Sequence, residues 1–230
     1  MDTICRHLPW DSGFFSFKVG AIDAAGLNAA GLNAAVGQLR TEGYRLVYVF
    51  AGSLMQGLMP CFVLADNKRS YILDRPYAIA GNSSVIDYKG EPEPLYDLAY
   101  QAGEFSRFRI DRRIGDENFR RLYRLWIDNS VAGVFADHVF VAEDAGKRPI
   151  GLITARKKDG MLSIGLFATD RRWRGTGMGS ALIGAVITAG AHAKIPVEVT
   201  TQADNQLACR FYEHKGFRLR QQEAVYHLWL

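Results

Sequence analysis

The glycine-rich segment from Arg172 to Ser180 (RWRGTGMGS) constrains this chain more than any other stretch. It joins an apolar, strand-like run at 161–168 to an apolar run with helical spacing after Ser180. Glycines at alternate positions leave the turn without side chains, so backbone N–H groups can approach a ligand closely. A helix that begins there also directs unpaired N–H groups, and the positive end of its dipole, at the same point. The segment therefore predicts a phosphate or pyrophosphate cradle.

Two familiar nucleotide-binding motifs do not fit this segment. A P-loop ends in Gly-Lys-Ser/Thr, and no lysine stands here. The dinucleotide fingerprint G-x-G-x-x-G, counted from Gly175 or Gly177, would end at Ser180 or Leu182 instead of a glycine. On the glycines alone, a purely structural turn is an equal alternative. The pattern that does fit is R-x-x-G-x-G, beginning at Arg172.

This pattern resembles the coenzyme A pyrophosphate loop of the GNAT acetyltransferase superfamily, which follows the fourth strand of that fold. A second stretch, Asn205 to Phe217 with its Asn…Phe-Tyr…Gly-Phe spacing, resembles the superfamily's other recurrent segment. The resemblance implies an acetyltransferase that uses acetyl-CoA and no metal. It also implies an α/β (α+β) GNAT fold with a central mixed, mostly antiparallel sheet. The residues that it assigns to the cofactor are Leu166, Phe167, Ala168, Arg172, Arg174, Gly175, Thr176, Gly177, Met178, Gly179, Ser180 and Asn205.

Acetyl transfer needs an amine nucleophile, a group that holds the oxyanion, and a proton for the departing thiolate. The resemblance implies a backbone N–H from the splayed fourth strand, at 166–168, and a tyrosine near the thioester sulfur at Tyr212. A phenol suits this role because its reference pKa of about 10 exceeds the thiol's, about 8.5. Tyr212 could instead pack as core beside Phe211, and Asn205 could cap its helix instead of binding pantetheine.

The general base is not identified by the sequence. The fourth strand carries no Asp, Glu or His that could deprotonate an incoming ammonium group. His138 and Glu143 flank the second strand of the predicted fold and are the nearest candidates. His192 and His214 lie late on predicted helices, where surface positions are expected. A chain of water molecules could also serve.

The segment Ser106–Arg109, followed by the aromatic pattern from Phe119 to Phe135, is similar to the TDP-fucosamine acetyltransferase family. The opening Leu8–Phe15 is similar as well. This resemblance implies acetylation of the 4-amino group of a dTDP-4-amino-4,6-dideoxyhexose, a nucleotide sugar used for bacterial surface polysaccharide. Two other functions stay open: acetylation of another amine, such as a peptide N-terminus or a small amine, and a non-catalytic acetyl-CoA-binding regulatory module.

Arg107 and Arg109 are the candidates for binding the diphosphate of such a sugar. Arginine grips phosphate oxygens through two parallel hydrogen bonds. The alternative is a solvated basic turn paired with Asp111 or Asp116.

The amino-acid composition limits which classes of protein and which partners are possible. The chain has 230 residues, 48% of them hydrophobic, which is enough to bury a core and excludes disorder. Its 28 basic and 24 acidic residues give a net charge of +4, too weak to favour nucleic acid. Three cysteines without paired or metal-ligand spacing predict a reduced, cytoplasmic protein. No apolar segment follows Met1–His7, so we expect no signal peptide. A homodimer is possible.

A segment rich in proline and glycine predicts a division of the chain into two domains. Residues 74–94 are rich in both and predict a linker, which separates a small N-terminal α/β domain (1–90) from the acetyltransferase domain (91–230). The uncharged stretch 46–65 is long enough to span a membrane, but its central Gly and Pro residues favour two buried strands joined by a loop. We further expect a helix near 26–35, a strand–turn–strand unit at 62–73, and a final strand pair that ends at Leu230.

Overall fold

The computed structural model describes residues 4–55 and 61–230. Within them, ten strands form one sheet. In chain order they are β1 (Cys5–His7), β2 (Val19–Asp23), β3 (Leu46–Ala51), β4 (Phe62–Leu73), β5 (Val85–Asp87), β6 (His138–Glu143), β7 (Pro149–Lys158), β8 (Met161–Thr169), β9 (Val197–Gln202) and β10 (Arg218–Trp229). The α-helices are α1 (Pro9–Phe15), α2 (Ala29–Thr41), α3 (Tyr96–Ala102), α4 (Arg107–Ile110), α5 (Asp116–Val131), α6 (Met178–Ala193) and α7 (Gln206–His214).

The sheet is mixed and mostly antiparallel, as predicted. Its strand order is β1-β2-β3-β10-β4-β9-β8-β7-β6-β5. Only β2 with β3 and β8 with β9 run parallel; all other neighbours among the described strands are antiparallel. The β8–β9 pair lies in the interior of the sheet, with five strands beyond β9 and three beyond β8. This pair positions the site described below.

Helices cover both faces of the sheet. On one face α6 buries Leu182, Ile183, Val186 and Ile187, an i, i+1, i+4, i+5 pattern that turns one side of the helix to the strands. On the other face α3 and α5 enclose a second core cluster, to which α5 contributes Phe119, Leu122, Tyr123 and Ile127. The end of β8 is therefore flanked by packed helices on both faces of the sheet.

The predicted strand–turn–strand unit at 62–73 is wrong, because β4 is a single strand of 12 residues. The polar run that begins at Asp66 suggested a turn. In the structure this run is paired on both edges, to β9 and to β10. A bulge near Asp66 adjusts the register, and Lys68 forms an ion pair with Glu223 of β10 at 3.3 Å. Strand pairing on both sides therefore overrides the local preference for a turn.

The predicted final strand pair is also wrong. The chain ends in one 12-residue strand, β10, and its neighbours β3 and β4 both come from the N-terminal part of the chain. Within the predicted linker, β5 pairs with β6. The sheet is therefore continuous across residue 90, and the division into two folding domains stays a prediction.

Two other predictions from the first half of the chain can be compared with the structure. The uncharged stretch 46–65 contains β3 and the start of β4, as expected, while 56–60 lie outside the described residues. Among the described residues, no helix is long and apolar enough to cross a membrane. The helix expected near 26–35 is present as α2, which begins at Ala29 and extends to Thr41.

Candidate active site

The site begins where β8 and β9 separate. Their parallel pairing ends at Ile164 opposite Val199, although both strands continue beyond these residues. A bulge in β8 lies at the same point: Thr154 of β7 opposes both Gly165 and Leu166. The Leu166 N–H donates to Thr154 Oγ1 at 2.8 Å, which fixes the bulge. Because a bulge bends its strand, β8 turns away from β9 and opens a cleft in the sheet.

The hydrogen-bond alternation of β8 decides which backbone group faces this cleft. The Asp170 N–H donates to the Ile150 carbonyl of β7 at 2.8 Å. In an antiparallel ladder, successive residues direct their N–H groups to opposite sides. The Ala168 N–H therefore also faces β7, and the Phe167 N–H points to the side from which β9 has withdrawn. Of the three predicted strand residues, Phe167 presents its amide to the cleft.

The glycine segment forms the predicted turn at the start of α6. Gly175 and Gly177 have φ values of 80° and 90°, a left-handed conformation that favours glycine. Gly177 is the N-cap of α6 and supplies no side-chain cap. The N–H groups of the first helical turn, at Met178 to Ser180, are thus left without intrahelical acceptors. They form a site suited to an anion.

The turn before these glycines is held by Asp170. Its carboxylate accepts the Arg172 N–H at 2.9 Å and the Arg172 guanidinium at 2.8 Å. These hydrogen bonds lower the pKa of Asp170 to about 2. Arg172 is therefore engaged in stabilising the turn.

A cavity of about 780 Å³ occupies the cleft and extends between the glycine turn, α7, α5 and the segment before α4. A volume of this size accommodates a drug-sized ligand. The sequence-predicted residues that line it are Arg107, Leu166, Phe167, Ala168, Arg174, Gly175, Gly177, Gly179, Ser180, Asn205 and Tyr212. Those that do not line it are Arg109, Arg172, Thr176 and Met178.

Local contacts explain these exceptions. The Thr176 hydroxyl donates to the Trp173 carbonyl at 2.7 Å, and the Met178 side chain packs against the core beneath α6. Arg109 forms an ion pair with Asp116, and its guanidinium lies over the Phe119 ring, outside the cavity. Arg107 and Arg109, which were both candidates for binding the diphosphate, therefore differ in position: Arg107 lines the cavity and Arg109 does not. For Arg109 the ion-paired alternative describes what is observed.

Tyr212 belongs both to the core and to the cavity wall. Its side chain is only 4% exposed and packs against the rings of Phe167, Phe211 and Phe217. Burial raises the pKa of its phenol well above the ordinary value, so the hydroxyl is protonated near neutral pH. This is the state that a proton donor requires, and its catalytic role stays a prediction.

The position of Asn205 is compatible with both roles predicted for it, the helix cap and the cofactor contact. Its Oδ1 accepts the Ala208 N–H at 3.2 Å, so it caps α7 as the alternative expected. The same residue lines the cavity. Since capping uses the carbonyl oxygen, the amide NH₂ can still donate to a ligand.

The far side of the cavity contains residues that the sequence analysis did not assign. They are Asp66 and Lys68 of β4, Ser106, and Tyr123 and Trp126 of α5. The Tyr123 and Trp126 rings stack with their centroids 5.8 Å apart. We call this side the acceptor half, and the side formed by β8, the glycine turn, α6 and α7 the cofactor half.

Arg107 projects from α4 into the acceptor half. Its guanidinium carbon lies 3.9 Å from the centroid of the Tyr48 ring and 4.7 Å from that of Phe108. One of its terminal nitrogens, Nη1, is buried and has no hydrogen-bond partner among residues 4–55 and 61–230. The buried Ser106 hydroxyl lies beside the Tyr123 phenol, with which it can share a hydrogen bond. Unpaired buried donors are uncommon in proteins, and Nη1 can donate a hydrogen bond into the cavity.

A buried polar network fixes the position of α4 and of Arg107. His227 Nδ1 lies 2.7 Å from Asp111 Oδ2, and the Trp229 indole donates to the same oxygen at 2.8 Å. The Tyr48 ring, on which Arg107 lies, stacks against His227 with centroids 4.8 Å apart. Because Asp111 directly follows α4, its hydrogen bonds to His227 and Trp229 attach that helix to β10. The contact between Arg107 and Tyr48 attaches it to β3.

The splayed strand pair, the glycine turn suited to an anion and the polar pocket of the acceptor half are joined by one cavity. The sequence profile described as Acetyltransferase (GNAT) family matches residues 96–217. The chain belongs to the GNAT acetyltransferase family, and it is an acetyl-CoA-dependent acetyltransferase. No curated protein sequence matches the chain at a significant level.

Solved structures share the fold at low sequence identity. A functionally unknown conserved protein from Staphylococcus epidermidis superposes with a TM-score of 0.71 at 11% identity, covering 99% of this chain and 92% of that one. A putative GNAT-family acetyltransferase from Novosphingobium aromaticivorans gives 0.61 at 16% identity, covering 100% and 90%. A glucosamine N-acetyltransferase region of a fungal β-N-acetylglucosaminidase gives 0.53 at 12% identity, covering 92% and 30%.

Proposed function

We propose that the enzyme transfers the acetyl group of acetyl-CoA to the 4-amino group of a dTDP-4-amino-4,6-dideoxyhexose, for bacterial surface polysaccharide. The observation that carries this proposal is Arg107. Its guanidinium has a buried, unpaired nitrogen, Nη1, and lies in the same cavity as the glycine turn. In this proposal, the glycine turn would bind the coenzyme pyrophosphate and Arg107 would bind the diphosphate of a nucleotide sugar. All three cysteines are free thiols, which is consistent with a cytoplasmic setting.

In the cofactor half, the pyrophosphate would bind the N–H groups at the start of α6, where Gly175 and Gly177 expose the backbone. The thioester oxygen would accept the Phe167 N–H, which becomes a stronger hydrogen bond as negative charge develops on that oxygen. Tyr212 would protonate the coenzyme A thiolate as the tetrahedral intermediate collapses. The Asn205 amide would donate to the pantetheine arm.

In the acceptor half, Arg107 would bind the diphosphate and Lys68 would add a second positive charge. A 4,6-dideoxy sugar carries a methyl group and has an apolar face, and the stacked rings of Tyr123 and Trp126 provide a surface for it. The glucosamine N-acetyltransferase region among the related structures supports an amino sugar as an acceptor that this fold can accommodate.

The proposal is tested with a panel of acceptors. Acetyl transfer and thermal stabilisation in the presence of coenzyme A would be measured with dTDP- and UDP-linked 4-amino sugars, the free amino sugars, a peptide with a free N-terminus, and spermidine. We expect dTDP-linked sugars to give the highest kcat/KM and the largest rise in Tm. A higher kcat/KM for spermidine or for the peptide than for every nucleotide sugar would show that the acceptor class is wrong.

A further inference from the structure

A buried carboxylate with one unpaired oxygen lies in the acceptor half, and the neighbouring Gln202 side chain hydrogen-bonds to this carboxylate. Asp66 of β4 lines the cavity and is 7% exposed. Its Oδ1 is buried and accepts no hydrogen bond from the part of the chain that the structure describes. A buried carboxylate oxygen without a donor is unfavourable. The fold therefore holds Asp66 in a state that a bound group with N–H donors would satisfy.

Four charged or titratable side chains surround this carboxylate. Lys68 lies on the same strand, Arg107 on α4, Tyr123 on α5 and Glu223 on β10. Burial raises the pKa of Asp66 to about 6, although Lys68 and Arg107 act in the opposite direction. Asp66 is thus ionised at pH 7 to 8, but it has enough proton affinity to act as a base there.

Other candidates for this role lie elsewhere. His138, Glu143, His192 and His214 do not line the cavity. Among the lining residues that the structure describes, the second carboxylate is Glu104, and it is paired with Arg171 and Arg174 at the mouth of the glycine turn. Among the described residues that line the cavity, Asp66 is therefore the carboxylate with an unpaired oxygen, Oδ1, that can receive a proton.

We propose that Asp66 is the general base of the acetyl transfer. Its carboxylate takes one proton from the acceptor's ammonium group, which leaves a neutral amine. The amine nitrogen forms a bond to the thioester carbon, and the C–S bond then breaks. The sulfur takes the Tyr212 proton, the nitrogen returns its second proton to the Tyr212 oxygen, and the proton on Asp66 leaves to water. The inference rests on acetyl transfer to an amine, and on the proposed function only for the choice of acceptor.

The first test is the pH dependence of Asp66→Asn, which keeps the shape of the side chain and removes its basicity. With acetyl-CoA and a dTDP-4-amino-4,6-dideoxyhexose, wild-type kcat/KM should fall as pH decreases through about 6. In the variant, kcat should drop by about 10²–10⁴ and this acid limb should disappear. The Kd of acetyl-CoA, measured by calorimetry, should stay unchanged. A raised KM with kcat retained, or an unchanged acid limb, would overturn the assignment.

The second test needs no acceptor, so it does not depend on the proposed function. Because the pKa of Asp66 is raised above its ordinary value of 3.8, ionisation of this group destabilises the folded protein. This loss develops as pH rises from about 4 through about 6. Asp66→Asn should therefore have a higher Tm than wild type at pH 8 and an equal Tm at pH 4. A lower Tm at pH 8 would show that Asp66 is a stabilising structural carboxylate and would overturn the proposal.

Glu223→Gln is the matched control. Glu223 is the neighbouring carboxylate on β10, bonds Lys68 at 3.3 Å and does not line the cavity. Glu223→Gln should retain kcat at pH 8 and should keep an acid limb, displaced to lower pH because the Glu223 charge raises the pKa of Asp66. If wild type acetylates another amine but no nucleotide sugar, the proposed acceptor is wrong, and the Asp66 test is then made with that amine.

Discussion

The two halves of the cavity present different kinds of chemical group. The cofactor half offers backbone groups: the Phe167 N–H on a bulged strand and the N–H groups at the start of α6. The acceptor half offers side chains from separate elements, among them Asp66 of β4, Arg107 of α4 and Trp126 of α5. A backbone site depends on a short continuous segment, whereas a side-chain site depends on the topology that assembles it. Coenzyme binding should therefore be lost through backbone changes, and acceptor binding through single side chains.

The largest effect is expected at Tyr212, on α7 in the cofactor half. Tyr212→Phe keeps the ring and its packing but removes the proton, so kcat should fall by about 10²–10⁴ while the Kd of acetyl-CoA and Tm stay near wild type. Tyr71→Phe is the matched control, because Tyr71 is also buried but bonds Glu213 at 3.0 Å and does not line the cavity. Nearly normal kcat in Tyr212→Phe, measured where chemistry limits the rate, would rule out this proton donor.

The next effect concerns the backbone of the glycine turn. Gly177→Val places a branched side chain at φ 90°, and the resulting backbone shift should remove one or two hydrogen bonds to pyrophosphate. Hydrogen bonds to charged groups contribute about 1.5–3 kcal/mol each, so the Kd of acetyl-CoA should rise about 100-fold. Calorimetry checks this. Gly160→Val carries the same kind of strain at φ 76°, in the β7–β8 turn, and should leave the Kd unchanged. Equal affinities for Gly177→Val and wild type would contradict the cradle.

A smaller and more selective effect is expected at Arg107. Arg107→Ala removes a charged donor to the diphosphate, so KM for a dTDP-amino sugar should rise about 10- to 100-fold at unchanged acetyl-CoA affinity. Arg109→Ala, two residues away and outside the cavity, should leave both unchanged. Steady-state kinetics with a nucleotide-free amino sugar sharpen the comparison. The same rise in KM for that acceptor would show that Arg107 does not bind the diphosphate.

The smallest effect concerns the turn that supports the cofactor half. Asp170→Ala removes the cap of the turn before the glycines and should lower the free energy of unfolding by about 1 kcal/mol at pH 7. The pKa of Asp170 is lowered to about 2 by Arg172, so its contribution is present above about pH 4 and is lost as pH falls toward 2. Denaturant unfolding at pH 7 and at pH 3 should therefore show a smaller difference from wild type at the lower pH. A constant difference would exclude the ion pair as its source.

The same contrast explains which features could be predicted from the sequence. The glycine turn and the strand and helix beside it were predicted because their signals are local. The pairing of β4 with β9 and β10 could not be, since its partners lie more than 120 residues away. Asp66 and Lys68 were consequently assigned to a turn. Arg107 and Arg109 could not be separated either, because the single turn of α4 decides which of them faces the cavity.

One measurement tests most directly whether a single cavity holds both ligands. A bisubstrate analogue, with the coenzyme A sulfur joined through a –CH₂CO– group to the 4-amine of a dTDP-4-amino-4,6-dideoxyhexose, would be titrated into wild type, Gly177→Val and Arg107→Ala. We expect the analogue to bind wild type more tightly than acetyl-CoA does, and we expect both variants to bind the analogue more weakly. Acetyl-CoA itself should respond to Gly177→Val alone. An analogue that binds no more tightly than acetyl-CoA, and equally well to Arg107→Ala and wild type, would contradict the two-half site.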